Sequence, residues 1–278
     1  MMPPTRAFFL WSNRAEGRHW RGESFVLLYA GCPGAKIIKV RCLGFSMAKI
    51  SPFDAVHRQL GARFEEFDGW SLPADYGNVQ AEADALNSHC AVVDLSSFGR
   101  LLLKGAGAAA FANGLLDNDN VFDGQCKWAT LAKVGINLPC RMGRINGEMF
   151  VFTPPGTAEG AATALERGIG EKGAEVSVTN LTEKTAMLGL YGPAAIASVR
   201  DVLPFDISDL ESGDIRKMTF FMIPFTLLRG SWLNGDGLEL ICPATAGPLA
   251  AGAIVKYRHK KNLTPAGMNS LLAAMARA

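Results

Sequence analysis

The chain has 278 residues, 49% hydrophobic and 19% charged, with a formal net charge of +2. That composition excludes global disorder, and no run approaches the ~20 apolar residues that a membrane-spanning helix needs. A charge balance this close to zero gives no general pull toward nucleic acid or an acidic membrane. Six cysteines without C-x-x-C spacing and four histidines argue against a zinc site and a disulfide framework. Reduced thiols of a cytosolic protein are the plain reading.

Residues 1–46 are rich in arginine and lysine (Arg6, Arg14, Arg18, Arg21, Lys36, Lys39, Arg41) and hold only Glu16 and Glu23 as acids. They show no helical or strand period. Three readings compete: a transit peptide, which would make the protein mitochondrial; a secretory leader, with Ser24–Gly31 as its short apolar region; and a false start, with translation beginning at Met47. The last is preferred, because ordered patterning begins immediately afterwards. Residues 47–278 then read as one interwoven unit.

In chain order, Ser51-Pro52-Phe53-Asp54 opens a helix, with Ser51 as its cap, and Gly61 stops it. Arg63–Phe67 reads as a strand and Val79–His89 as a helix. Ala91–Leu95 and Arg100–Lys104 read as strands, followed by an Ala-rich helix over Ala106–Leu116. Lys127–Val134 and Met142–Thr153 are extended, the second folded into a hairpin at Asn146-Gly147. Ala158–Lys172 is an amphipathic helix. Strands follow at Glu175–Asn180 and Thr185–Tyr191, then a helix over Pro193–Leu203. Lys217–Ile223, Phe225–Arg229 and Leu238–Cys242 are strands, and helices cover Pro248–His259 and Pro265–Ala278. Adjacent strand pairs mixed with helices imply an α+β fold with mixed or antiparallel sheets rather than a βαβ array.

Several chemical motifs fail. Gly105-Ala106-Gly107 lacks the third glycine of a dinucleotide loop and reads as a strand-to-helix turn. No G-x-S-x-G, H-E-x-x-H or EF-hand pattern occurs, so no metal is implied. His57 and His89 read as surface or capping residues. Trp70 and Trp128 read as core aromatics, and Cys126 and Cys140 as buried thiols without a redox role. The basic run Lys256–Lys261 fits a helix C-terminus without nucleic acid.

One pattern is specific. Ser51-Pro52-Phe53, Leu60-Gly61-Ala62-Arg63-Phe64, Phe67-Asp68-Gly69-Trp70-Ser71-Leu72-Pro73 and Tyr76-Gly77 resemble the amino-terminal signature of the glycine-cleavage T-protein (aminomethyltransferase) family. Asp94–Gly99 is similar to its D-V-S-H-M-G, Leu115–Asp119 to its L-x-x-N-D, Gly192-Pro193-Ala194-Ala195 to its G-P-x-A, and Gly230–Leu240 to its T-G-Y-T-G-E-D-G-F-E-L. The resemblance implies a folate-binding α+β module. It implies a transferase in which tetrahydrofolate captures a one-carbon unit, aminomethyl or methyl, from a lipoyl carrier protein. It puts Asp119 in the catalytic role, orienting the folate and stabilising developing positive charge. It makes Phe98 and Trp232 walls of the cleft; Asp236, beside Gly235, is either a substitute cofactor-binding carboxylate or, the preferred reading, the completion of the hairpin turn Asn234-Gly235-Asp236-Gly237.

The departures also carry expectations. The family glutamate that pairs with the pterin falls at Gly235, its late arginine near Leu271, and a further small domain has no counterpart before Ala278. The alternative function is therefore a non-catalytic folate-binding or interaction subunit that needs a companion chain.

Overall fold

A computed structural model of the protein describes residues 47–278 apart from 118, 201, 205, 234, 260 and 261, together with the backbone of 24–27 and 38–41. The chain divides into two units, Met1–Met47 and Ala48–Ala278. In the first, β1 (Ser24–Leu27) and β2 (Ile38–Arg41) pair antiparallel. The readings of residues 1–46 as a targeting segment or a false start rest on residues outside those described.

The second unit begins with β3 (Lys49–Ile50), α1 (Asp54–Gln59), β4 (Arg63–Phe67), β5 (Trp70–Asp75) and α2 (Val79–Ser88). Next come β6 (Cys90–Asp94), β7 (Phe98–Lys104), α3 (Ala108–Asn113), β8 (Cys126–Thr130), β9 (Pro139–Ile145), β10 (Glu148–Pro155) and α4 (Ala158–Lys172). The chain ends with β11 (Ser177–Asn180), β12 (Thr185–Tyr191), α5 (Ala195–Val199), β13 (Ile215–Phe220), β14 (Ile223–Arg229), β15 (Gly237–Pro243), α6 (Gly247–Tyr257), β16 (Leu263–Ala266) and α7 (Met268–Met275).

Three sheets result, ordered β3-β5-β4, β11-β7-β10-β9-β8 and β13-β14-β15-β12-β6-β16. Most pairs are antiparallel, as expected; β3 with β5 and β16 with β6 are parallel. One core lies between the two large sheets, built from Phe98, Phe152, Met187, Tyr191 and Trp232 among others. A second packs α1, α5 and α6 against the outer face of the six-stranded sheet. A third packs α3 and α4 on the outer face of the five-stranded sheet. Strand alternation divides these faces: along β7, Leu101 and Leu103 point to the helices, while Phe98, Arg100 and Leu102 point to the opposite sheet.

Local chemistry explains the elements that match expectation. Asn146 and Gly147 both take positive φ, 52° and 78°, the conformation a tight two-residue hairpin demands, and the register Glu148↔Ile145 follows. The turn at Gly105 is what the sequence suggested. Its φ is +133°, and a Cβ there would sit 2.0 Å from the Glu175 carbonyl oxygen. Gly105→Ala is therefore expected to cost about 1–3 kcal/mol, read as a lowered midpoint in urea unfolding. An unchanged midpoint would refute this account of the turn.

Other elements differ. β5 runs through Pro73, which lacks an N–H. The strand tolerates it because β3 reaches only Trp70 and Ser71, so no ladder bond is asked of Pro73 on that side. The expected helix from Pro265 starts instead as strand β16, an edge strand beside β6, and turns helical only at Met268. Ser51 is not a helix cap: its hydroxyl accepts from Phe53 N–H at 3.1 Å and donates to Asp94 at 2.5 Å.

His57, expected at the surface, is buried. Its Nε2 pairs with Asp94 Oδ2 at 2.9 Å, and Tyr76 Oη lies 2.7 Å from its Nδ1. Asp94 also accepts from Ser96 N–H at 2.8 Å. Glu82 of α2 is a second buried carboxylate. It accepts from Tyr76 N–H, from Gly267 N–H at 2.9 Å and from Ser270 Oγ at 2.9 Å. Arg100 is buried too, and carbonyl and hydroxyl oxygens take its donors: Leu95, Phe98, Ser96, Thr182 and Thr185 O, and Thr185 Oγ1. Burial pulls its pKa down to about 10.

Candidate functional site

The space between the two large sheets places the side chains of most chemical interest. On β9, Arg141 alternates with Cys140 and Met142, both buried toward the helices, so Arg141 points at the six-stranded sheet. On β15, Glu239 alternates with Leu238 and Leu240 and points back. The two meet: Arg141 Nη2 lies 2.6 Å from Glu239 Oε2, with Glu239 0% exposed. The other carboxylate oxygen accepts from Tyr191 Oη at 2.5 Å. Tyr191 reaches it because its ring lies against Gly189 and Gly237, where a Cβ would collide with it at 2.9 and 2.7 Å.

Aromatic rings surround the guanidinium. Its carbon lies 4.3 Å from the centroid of Trp232, 5.7 Å from Trp128 and 6.0 Å from Phe152. Trp232 in turn packs on Phe98 at 5.3 Å and edge-on against Trp128 at 5.4 Å. Burial pushes the Glu239 carboxyl above the ordinary range, and the Arg141 charge opposes that shift. Burial likewise holds the Tyr191 hydroxyl far above its usual value, so it stays protonated and donates to Glu239. Two buried donors, Arg141 Nε and Trp232 Nε1, have no partner.

The residues singled out from sequence are distributed unevenly. Phe98 and Trp232 come together as adjoining walls. Asp119 is half-exposed and bound by Lys127 Nζ at 2.8 and 2.9 Å and by Asn120 N–H at 2.7 Å. Those hydrogen bonds, Lys127's first, hold its carboxyl below the usual range. Lys127 alternates with Trp128 along β8, so Asp119 sits on the other face of that edge strand from the aromatic wall. Asp236 pairs with Arg229 through Nη2 at 2.7 Å and Nε at 3.2 Å, and it lines a separate cavity of about 360 Å³ beside Gly192, Pro193 and Arg277.

One expectation changes. Trp128 is not core: 55% of it is exposed, because β8 is the edge of its sheet. Trp70 is core, as read. A buried carboxylate not singled out from the sequence stands at Glu239, the third residue of β15. Its signal in the sequence is a glutamate inside the apolar run Leu238-Glu239-Leu240-Ile241, on the face opposite Leu238 and Leu240. Arg141 between Cys140 and Met142 is the same kind of signal.

Chemically, the arrangement is a cluster of rings set at 49° and 90° to one another, buried except at Trp128, where one ring face meets solvent, with two N–H donors for an acceptor group behind it. Both Glu239 oxygens are committed. Among the described residues no group of three His, Cys, Asp or Glu side chains converges as a metal site, and no helix is long and apolar enough to cross a membrane.

Residues 53–275 match the family model described as the GCVT N-terminal domain. The aminomethyltransferase of Mycobacterium avium is 27% identical over 223 residues, which cover 79% of this chain and 60% of that protein. The aminomethyltransferase of Thermotoga maritima is 24% identical over 232 residues, covering 80% and 62%. The chain thus spans about 60% of the length of these curated relatives. The crystal structure of glycine cleavage system aminomethyltransferase T from Bartonella henselae superposes with a TM-score of 0.70 at 22% identity, over 83% of this chain and 62% of that one. That superposition carries the fold, which is the α+β arrangement expected from the sequence.

Proposed function

The chain belongs to the GCVT N-terminal domain family, and from that premise we propose that it is a tetrahydrofolate-binding domain of the aminomethyltransferase type. The observation that carries this reading is the wall of Phe98, Trp232 and Trp128 above the Arg141–Glu239 pair. A pterin is flat and π-rich and carries a carbonyl and ring nitrogens. The exposed Trp128 ring suits its face, and the unpartnered Arg141 Nε and Trp232 Nε1 suit its acceptors. Bound folate supplies the nucleophilic nitrogen that receives a one-carbon unit. The protein's own part is to stack the ring on the exposed Trp128, with Trp232 edge-on behind it, to donate from Arg141 and Trp232, and to exclude water with Phe98 and Phe152. Asp119, ionised and paired with Lys127 on the other face of β8, is the carboxylate this reading assigns to the cationic charge developing on the transferred carbon. A lipoyl carrier protein, as donor of the aminomethyl group, is part of this reading.

A second reading, a non-catalytic folate-binding or interaction subunit that needs a companion chain, is favoured by one observation. Glu239 is neutralised inside the protein by Arg141 and Tyr191, so a pterin N–H finds no free carboxylate there.

Calorimetric titration of tetrahydrofolate into the full-length protein tests both. We expect micromolar binding, weakened about tenfold by Trp128→Ala through loss of stacking. Asp119→Ala should leave stability essentially unchanged, since its ion pair is exposed. It should abolish ammonia release from an aminomethylated lipoyl carrier if the domain is a transferase. Turnover by neither form, with binding intact, selects the second reading. Absence of binding by the wild type up to millimolar ligand overturns the first reading and leaves only the interaction subunit of the second.

A further inference from the structure

A second cavity, of about 310 Å³, opens between the same two sheets further along their strands, lined by Arg100, Leu102 and Lys104 of β7 and Glu148, Phe150 and Phe152 of β10. Strand alternation puts these two triplets on one face, because Phe150 pairs with Leu102 and Phe152 with Arg100. The opposite wall is Ile241 of β15, with Thr226 of β14 and Lys217 of β13. Phe150 and Phe152 lie nearly parallel, 9° between planes and 6.2 Å apart, and present flat apolar faces.

The charge on this wall is one-sided. Lys104 and Lys217 share a single carboxylate, Glu148, at 3.0 and 2.9 Å. Arg100 adds a third cation whose donors go to carbonyl and hydroxyl oxygens rather than to an acid. Three cations thus face one carboxylate around an apolar floor. Lys217 Nζ lies over the Phe150 ring, 5.6 Å from its centroid, so an anion bound to that lysine adjoins the aromatic surface.

We propose that this cavity binds an aromatic carboxylate. Its ring packs on Phe150, Phe152 and Ile241, and its carboxylate bridges Lys104 and Lys217 in competition with Glu148. The volume is that of a small-ligand site, and an apolar floor with a few convergent charges is the usual composition of one. Glu148 acts as a placeholder: it keeps the two ammonium groups paired and sets a threshold that an incoming carboxylate must exceed.

The placeholder gives the test a sign that non-specific apolar binding does not share. Naphthoate is titrated calorimetrically into the full-length protein at low ionic strength. Glu148→Gln, at a half-exposed position, should tighten binding severalfold. The pair Lys104→Met and Lys217→Met should weaken it about tenfold, as should replacing naphthoate by the neutral naphthamide. Trp232→Ala should leave it unchanged, which separates this site from the proposed folate wall. Absence of binding, equal affinity for naphthamide, unchanged or weaker binding by Glu148→Gln, or loss of binding in Trp232→Ala would each overturn the proposal.

Discussion

Arg141→Met should lower the unfolding free energy by about 3–5 kcal/mol, the usual cost of stranding one member of a buried ion pair. Glu239 would keep only the Tyr191 hydroxyl, in a position with no access to water. Burial already pushes its carboxyl upward, and Arg141 is the group that opposes this. With Arg141 gone, the folded-state pKa of Glu239 rises further above the unfolded value of about 4.3. A raised carboxyl stabilises the fold while it is protonated, and that contribution is lost as pH rises through the folded pKa. The variant should therefore be weakest at neutral pH and recover part of its deficit toward pH ~4. Adding Glu239→Gln should restore much of the loss, a non-additive result that isolates the pair. Urea unfolding of the two variants across that pH range measures both effects. A deficit under about 1 kcal/mol for Arg141→Met would contradict a buried, charged pair.

Asp94→Ala is expected to cost a similar amount, about 3–4 kcal/mol, because it strands three buried donors at once: Ser51 Oγ, His57 Nε2 and Ser96 N–H. Here the pH dependence runs the other way. Burial pushes the Asp94 carboxyl up, but the hydrogen bonds and charge of His57, with Ser51 and Ser96, hold it below the ordinary carboxylate range. A depressed carboxyl stabilises the fold above its unfolded pKa of about 3.9, and that contribution disappears as pH falls through the folded value. Wild-type stability should thus drop steeply below about pH 4, and the curve of Asp94→Asn should be flatter there. Parallel curves, determined by denaturant titration at several acidic pH values, would show that Asp94 is not ionised in its network.

The parts of the fold legible in the sequence are those fixed by local chemistry. Asn146-Gly147 sets a hairpin by itself, and Thr185–Tyr191 and Ala158–Lys172 carry their own periods. β5 and β16 were not legible, since each is a strand only because a neighbour lies beside it, and each contains a proline that argues otherwise. His57 was misplaced for the same reason: a lone histidine on a short helix says nothing of Asp94, 37 positions away. At the site, Phe98 and Trp232 were reached through the family resemblance. That same resemblance directed attention to Gly235 and away from Glu239. A charged residue flanked by apolar ones on a strand was the available signal, and its partner Arg141 lies 98 positions away, beyond any local pattern.

The pairing of β16 with β6 bears on how the protein is made. Residues 90–94 leave the ribosome early, yet their parallel neighbour is Leu263–Ala266, and Glu82 closes on Gly267 and Ser270. At ordinary elongation speeds the nascent chain waits on the order of ten seconds between synthesising one partner and the other. Through that interval the open edge of β6, an unbroken apolar stretch from Cys90 to Val93, is available to any other extended segment. Vectorial synthesis thus leaves the amino-terminal signature unsealed until the final helix emerges, and the yield of native protein should depend on whether a holdase covers that edge meanwhile.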